Sequence, residues 1–178
     1  MYYSTYYLSP VGKYLLVADN DALIGVFLEN QKYYCDCIDE AIIEKENEVL
    51  KQTKLWLDRY FDGQKPSIDE LKLKPIGSEF RQEVWKILCE IPYGSYITYN
   101  DIAKKIAKQR GIQRMSAQAI GGAVGHNPIS IIIPCHRVIA ANGSLTGYAG
   151  GITTKLKLLE LEGVDTSKLK IPTKGTAL

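Results

Sequence analysis

The hexapeptide Ile133-Pro134-Cys135-His136-Arg137-Val138 places a thiol next to one of only two histidines in the chain, directly after an apolar run. The thiolate is the nucleophile of cysteine chemistry, and a neighbouring imidazole or cation moves the proton equilibrium toward it. His136 and Arg137 supply both kinds of group. Residues 129–133 read as a short buried strand, and Pro134, with no N–H and a fixed φ, must end it, so Cys135 is expected on a rigid corner. The plainer reading is a packing cysteine, the commonest fate of a free thiol. The rest of the chain has to separate the two.

At 178 residues, with 46% apolar and 24% charged residues, the chain has the composition of an ordinary globular protein large enough for one domain or two small ones. No apolar run reaches membrane-spanning length, and the amino terminus lacks the basic and apolar regions of a signal peptide, which predicts a cytoplasmic protein. Its four cysteines are then expected reduced. Cys35 and Cys37 are too close for a useful bridge, and their spacing with no nearby histidine does not suit zinc, so no metal is expected. The charge is unevenly spread. Residues 1–75 carry 9 Lys and Arg against 13 Asp and Glu, a net of -4, whereas residues 76–178 carry 13 against 7, a net of +6. A basic half hints at an anionic partner, although charge runs are often only solvated faces.

The elements that position Cys135 follow from patterning. Residues 2–8, 14–18 and 23–28 alternate with turn formers, which predicts a small antiparallel sheet. Residues 39–61 carry apolar positions at helical spacing and predict one helix, with scope for a break, packed on that sheet. Residues 62–67 end it, and residues 71–77 read as a connector, placing a domain boundary near Pro75: 1–75 and 76–178. Ser78 caps a helix whose inner face carries Phe80, Val84, Trp85, Leu88 and Cys89. Thr98 and Asp101 form a variant capping box ahead of a helix from Tyr99 to about Lys108. Ser116 caps another, from Ala117 to about Val124, rich in Ala and Gly. The pair resembles a helix-turn-helix with a long link.

Gly121 and Gly122 each cost that last helix about 1 kcal/mol relative to Ala, so something must gain from them. Close packing against a neighbouring helix is one explanation. Close approach to a nucleic acid is the other, and it fits the basic residues Lys104, Lys105, Lys108, Arg110 and Arg114 just upstream.

From about Phe80 to Gly163 the sequence resembles the O6-alkylguanine-DNA alkyltransferases. The resemblance rests on Trp85-Lys86, Pro92-Tyr93-Gly94, Thr98-Tyr99, Ala119-Ile120-Gly121-Gly122-Ala123, Asn127-Pro128, the hexapeptide around Cys135, Gly147-Tyr148-Ala149-Gly150-Gly151 and residues 158–163, all in the family's order. Residues 1–75 match only in general character. The resemblance implies an α+β protein: a small amino-terminal antiparallel sheet with a helix, ribonuclease H-like, then a mostly helical, winged-helix-like domain with the helix-turn-helix. It implies irreversible transfer of an alkyl group from O6 of guanine in double-stranded DNA to Cys135, once per protein molecule, with no cofactor and no obligatory protein partner.

The resemblance also assigns residues. His136 takes the thiol proton through a water, Glu162 orients His136, Asn127 buttresses the active-site turn, and Tyr99 donates to the guanine ring. The carbonyls of Cys135 and Val138 receive the guanine amine, and the amide of Ala149 faces O6, where many members have serine. The 117–124 helix enters the minor groove, and Arg114, Ala117, Gly121, Gly122, Arg137, Tyr148 and Lys155 are further substrate or DNA contacts. Gln118 stands where the family usually carries the arginine that fills the gap left by the rotated base. Asn127 and Glu162 also have plain readings, a turn residue before Pro128 and a surface acid. Two other functions fit parts of the pattern: a DNA-binding relative that recognises alkylguanine without removing it, against which Cys135 argues, and a thiol hydrolase, for which adjacent Cys and His make a poor nucleophile and base.

Overall fold

The computed structural model describes residues 1–172, and the chain divides into two compact units. The first comprises residues 1–77 with 128–132, the second 78–127 with 133–178. Two uninterrupted segments meeting at 75/76 therefore need one amendment, because residues 128–132 leave the second half and join the first unit.

In the first unit, β1 (Tyr2–Ser9), β2 (Gly12–Ala18) and β3 (Leu23–Leu28) form an antiparallel meander. The turns are closed by side chains: Ser9 Oγ donates to the Gly12 carbonyl at 2.7 Å, and Asp19 Oδ1 accepts from the Asp21 and Ala22 amides at 2.8 Å each. The sheet is mixed rather than wholly antiparallel, since β4 (Ile42–Glu44) runs parallel to β1 in the order β3-β2-β1-β4. This corrects the expectation of a helix from residue 39. Ile42 and Ile43 are β-branched and lie opposite Tyr2 and Tyr3 on the open edge of β1, while the helix starts later, at α1 (Glu48–Phe61), where Asn47 accepts from the Leu50 amide. Leu50, Trp56, Leu57 and Tyr60 form its buried face.

The outer edge of β3 is covered rather than open. Leu23 exchanges backbone bonds with Lys72 and Lys74, and Val26 with Pro128 and Ser130. The stretch 129–133 is not the expected strand: it makes a single bridge at Ile129, and Ile131 then turns through a left-handed φ of 71°. That conformation is strained for a β-branched residue and breaks the extended run two residues before Ile133.

The second unit holds α2 (Glu79–Cys89), α3 (Tyr99–Arg110), α4 (Ala117–Gly125) and α5 (Ile152–Leu161), with a two-stranded parallel ribbon of β5 (Ile97–Thr98) and β6 (Val138–Ile139). The capping residues act as their types suggest. Ser78 and Ser116 accept from Arg81 and Ala119 amides, and the Thr98/Asp101 box is complete. Gly111 ends α3 in the left-handed conformation at φ 65°. Trp85 ties α2 to α4 by donating its indole N–H to the Ala123 carbonyl at 2.8 Å. Cys89, expected in the core, is half-buried. Residues 165–170 are held: Leu169 packs with Ile139, Leu145 and Leu159, and Lys170 exchanges backbone bonds with Gly143 and Leu145. Among the described residues no helix is long and apolar enough to cross a membrane.

Candidate active site

Pro134 leads into a single 3-10 turn, Cys135–Arg137, which passes directly into β6. A turn so short and so closely followed by a paired strand fixes three successive side chains in one buried place. Cys135 is 6% exposed, His136 0% and Arg137 7%. The amide of Val138 donates to the Cys135 carbonyl and closes the turn.

Asn127, at the end of α4, donates from Nδ2 to the Ile133 carbonyl at 2.8 Å, and its side chain also hydrogen-bonds to Cys135. Glu162, the C-cap of α5, collects four donors. His136 Nε2–H reaches Oε2 at 2.5 Å and Arg137 Nη2 reaches it at 3.2 Å; Arg137 Nε and the Gly94 amide reach Oε1 at 2.7 and 3.1 Å. Gly94 brings its amide there with φ at 78°, a conformation that favours glycine. A carboxylate only accepts, so Nε2 carries the imidazole proton and Nδ1 is left as a lone pair; among the described residues Nδ1 has no hydrogen-bond partner.

The electrostatics follow from this burial. Burial pushes the Cys135 thiol up, against the Asn127 hydrogen bond and the positive charge of Lys155, so the resting group is a thiol. Burial lowers His136 more than Glu162 raises it, and Arg137 and Lys155 lower it further, leaving a neutral imidazole. Burial raises Glu162, but His136 and Arg137 outweigh it and hold the carboxyl at about 2. Lys155 is 0% exposed and is brought down by burial to about 7. The arrangement can take a proton from a thiol at Nδ1 and spread the resulting charge over a held carboxylate.

Tyr99 donates its hydroxyl to the Thr146 carbonyl at 2.7 Å. Lys155 Nζ donates to that same carbonyl at 3.2 Å and, at closer range, to the Val138 carbonyl. The Thr146 carbonyl thus accepts two donors, while the Val138 carbonyl retains a second lone pair. Gly147 runs past Tyr99 at φ 90°, where an added Cβ would collide with the Tyr99 hydroxyl. Tyr148 and Ala149 are half-buried on the same 146–151 loop.

One expected contact is corrected here. Arg137 spends its guanidinium on Glu162 and, through Nη1, on the Ile91 carbonyl at 2.7 Å, so it is unavailable to a phosphate. Lys155 faces Cys135, Tyr99 and two carbonyls in the interior. Sequence reading places charged residues outside by default, and only the number of acceptors around them reveals otherwise.

α3, α4 and the link between them expose Lys104, Lys105, Lys108, Arg114, Ala117, Gln118 and Gly122. Arg110 is partly taken by Glu83, at 3.0 Å, and by the Phe80 ring. A Cβ added to Gly121 or Gly122 would meet open space, so internal close packing is not the reason for these glycines. Beside the start of α4, Asn100, Lys104, Arg114 and Ser116 line a cleft of about 640 Å³.

A buried thiol, an imidazole held by a carboxylate and a basic pair of helices with a small-residue outer face together define a cysteine-nucleophile protein built for a large anionic partner. The 6-O-methylguanine DNA methyltransferase ribonuclease-like domain matches residues 1–75, and the DNA binding domain of the same group matches residues 79–164. A methylated-DNA--protein-cysteine methyltransferase of Methanosarcina acetivorans is 43% identical over 163 residues, 92% of this chain and 99% of the relative; one from Haemophilus influenzae is 38% identical over 164 residues, 91% and 87%. The crystal structure of Mycobacterium tuberculosis OGT in complex with DNA superposes with a TM-score of 0.76 at 37% identity, covering 94% of each chain. The chain belongs to the 6-O-methylguanine DNA methyltransferase family.

Proposed function

We propose that this protein repairs DNA by direct reversal, moving a methyl or other alkyl group from O6 of guanine to Sγ of Cys135. The observation that carries this is the geometry at His136: Nε2–H is committed to Glu162, and Nδ1 is a buried lone pair with no partner among the described residues, on the residue that follows the buried Cys135 thiol. The thiol proton passes to Nδ1, Sγ attacks the alkyl carbon in line, and the C–O6 bond breaks with its electron pair going to the guanine. Sulfur replaces oxygen on carbon, so the step balances without a cofactor. The thioether that forms has no leaving group better than the one displaced, and the protein acts once.

Residues 76–178 carry the transfer and DNA binding, with residues 1–75 as the companion α/β unit. Tyr99 turns its hydroxyl from Thr146 to the guanine ring as negative charge grows there. The second lone pairs of the Cys135 and Val138 carbonyls take the guanine amine, the Ala149 amide faces O6, and Asn127 holds the turn. The target base must leave the stack, at a cost of a few kcal/mol, with α4 in the minor groove and Gln118 filling the gap. Glutamine hydrogen-bonds the orphaned base but adds no charge, and Arg114 supplies attraction to phosphate instead. Cytoplasmic repair, with neither membrane nor obligatory protein partner, completes the reading.

Intact-mass measurement after incubation with an O6-methylguanine duplex tests it. One methyl on Cys135, absent in Cys135→Ser, is expected. Unchanged mass with retained binding would establish recognition without removal, and repeated ester or peptide turnover would establish a hydrolase.

A further inference from the structure

We infer that Arg137 is a positioning residue of the transfer: by gripping both oxygens of Glu162 and neutralising its charge inside the protein, it keeps His136 an uncharged base with Nδ1 as the acceptor. The inference rests on the alkyl-transfer reading and assigns a role to a residue whose charge would otherwise suggest a phosphate contact.

The geometry has two parts. Arg137 Nε and Nη2 bind Oε1 and Oε2 of Glu162 at 2.7 and 3.2 Å, while Nη1 is anchored on the Ile91 carbonyl at 2.7 Å. This fork fixes the carboxylate plane, and with it the lone pair of Oε2 that receives His136 Nε2–H. A carboxylate free to rotate would hold the imidazole less well.

The second part is charge. Glu162, Arg137 and His136 are all buried, and the trio is electrically neutral only when the imidazole is uncharged. Protonating His136 would place a net positive charge in the interior, beside Lys155 of α5 as well as Arg137 of its own turn. Cys135, on that turn, is a thiol and offers no compensating charge; Tyr93, whose hydroxyl donates to the Leu161 carbonyl at 3.4 Å, and Tyr99 of α3 are neutral phenols. Without Arg137, Glu162 would face His136 as an uncompensated anion, and the imidazole would take up the proton itself. Both nitrogens would then be donors, and the thiol proton would have nowhere to go.

The experiment follows single-turnover methyl transfer against pH in wild type, Arg137→Met and Arg137→Lys, together with ¹⁵N-histidine NMR. With only His126 and His136 in the chain, the ring resonances are few. Wild type is expected to show His136 as the neutral Nε2–H tautomer at pH 7. In Arg137→Met the imidazolium form should persist, and the acid limb of the transfer rate should move up by about one pH unit, the scale set by one nearby charge. Lysine, which restores the charge without the fork, should return the limb most of the way. Superimposable acid limbs in wild type and Arg137→Met, a Met-like Lys variant, or a wild-type imidazolium at pH 7 would each overturn the inference. Should Arg137→Met not fold, the Lys variant and the wild-type tautomer still decide it. The NMR titration needs no alkyl transfer, so failure of the transfer reading shows up separately, as wild type that gains no methyl.

Discussion

Replacing Lys155 with methionine should make the protein more stable and less able to accept a methyl group. Its ammonium is fully buried and held at about 7 against an ordinary 10.5. At 1.36 kcal/mol per unit, the charged form costs the fold about 5 kcal/mol at pH 6. Methionine of similar length removes that cost. It also removes two hydrogen bonds, although the Thr146 carbonyl keeps the Tyr99 hydroxyl, so the loss falls mainly on the Val138 carbonyl and amounts to about 2 kcal/mol. The net expectation is a gain of about 3 kcal/mol at pH 6, or about 6–12 °C in Tm for a chain of this size. Between pH 7 and 10.5 the unfolded chain holds the lysine proton more tightly than the folded one, so wild-type stability climbs with pH across that window. By pH 9 the cost has fallen to about 2 kcal/mol, and the advantage of Lys155→Met should have vanished. Thermal unfolding of both proteins at pH 6 and 9 measures this directly. Because the Lys155 charge is one of the influences drawing the Cys135 thiol down, single-turnover transfer by the variant should slow at least about tenfold. A variant less stable than wild type at pH 6, or a stability difference that does not change with pH, would refute the reasoning.

Other substitutions probe the remaining parts. Glu162→Gln should cost about 3–5 kcal/mol in denaturant unfolding by leaving Arg137 buried without its anion, and should flatten the loss of stability that wild type shows as pH falls from about 4.5 toward the Glu162 value of about 2. Gly147→Ala must strain a φ of 90° and displace the Tyr99 hydroxyl; transfer should fall while binding of unmodified duplex, measured by anisotropy, is retained. Gly122→Ala points its methyl into open space, so α4 should gain up to about 1 kcal/mol in unfolding assays while duplex affinity drops. Gln118→Arg should tighten duplex binding and steepen its salt dependence by about one unit of log-log slope, leaving single-stranded substrate unaffected.

The local punctuation of the fold was legible because capping chemistry is local. Ser78, Thr98 with Asp101, Ser116 and Gly111 each mark a helix end by a side chain or a φ that no distant residue has to supply. Ile42 and Ile43 were misplaced for the opposite reason. Their strand exists only because β1 offers an edge, and a three-residue strand carries too little periodicity to announce itself. Residues 129–133 look like a strand until Ile131 turns left-handed, which an isoleucine never advertises. In the site, Cys135 and His136 stand out by adjacency, whereas Glu162, 26 residues beyond His136, and Asn127, which reads locally as a turn residue, are reached only through resemblance. Nothing in the sequence shows that Arg137 and Lys155 are buried; what buries them is a set of carbonyls and a carboxylate that converge only in three dimensions.

The detour of residues 128–132 into the first unit bears on how the protein can be taken apart. A fragment beginning at residue 78 would carry Ile129, Ile131 and Ile132 with nothing to cover them, and a fragment ending at 77 would leave the Val26 backbone without its outer partner. Both pieces would be prone to stick to themselves or to each other. The Asn127 side chain nevertheless reaches the Ile133 carbonyl at 2.8 Å, so the two ends of the detour lie close together. Exchanging the five residues for a tight two-residue turn is therefore the cut that would release a self-contained second unit with its thiol turn intact.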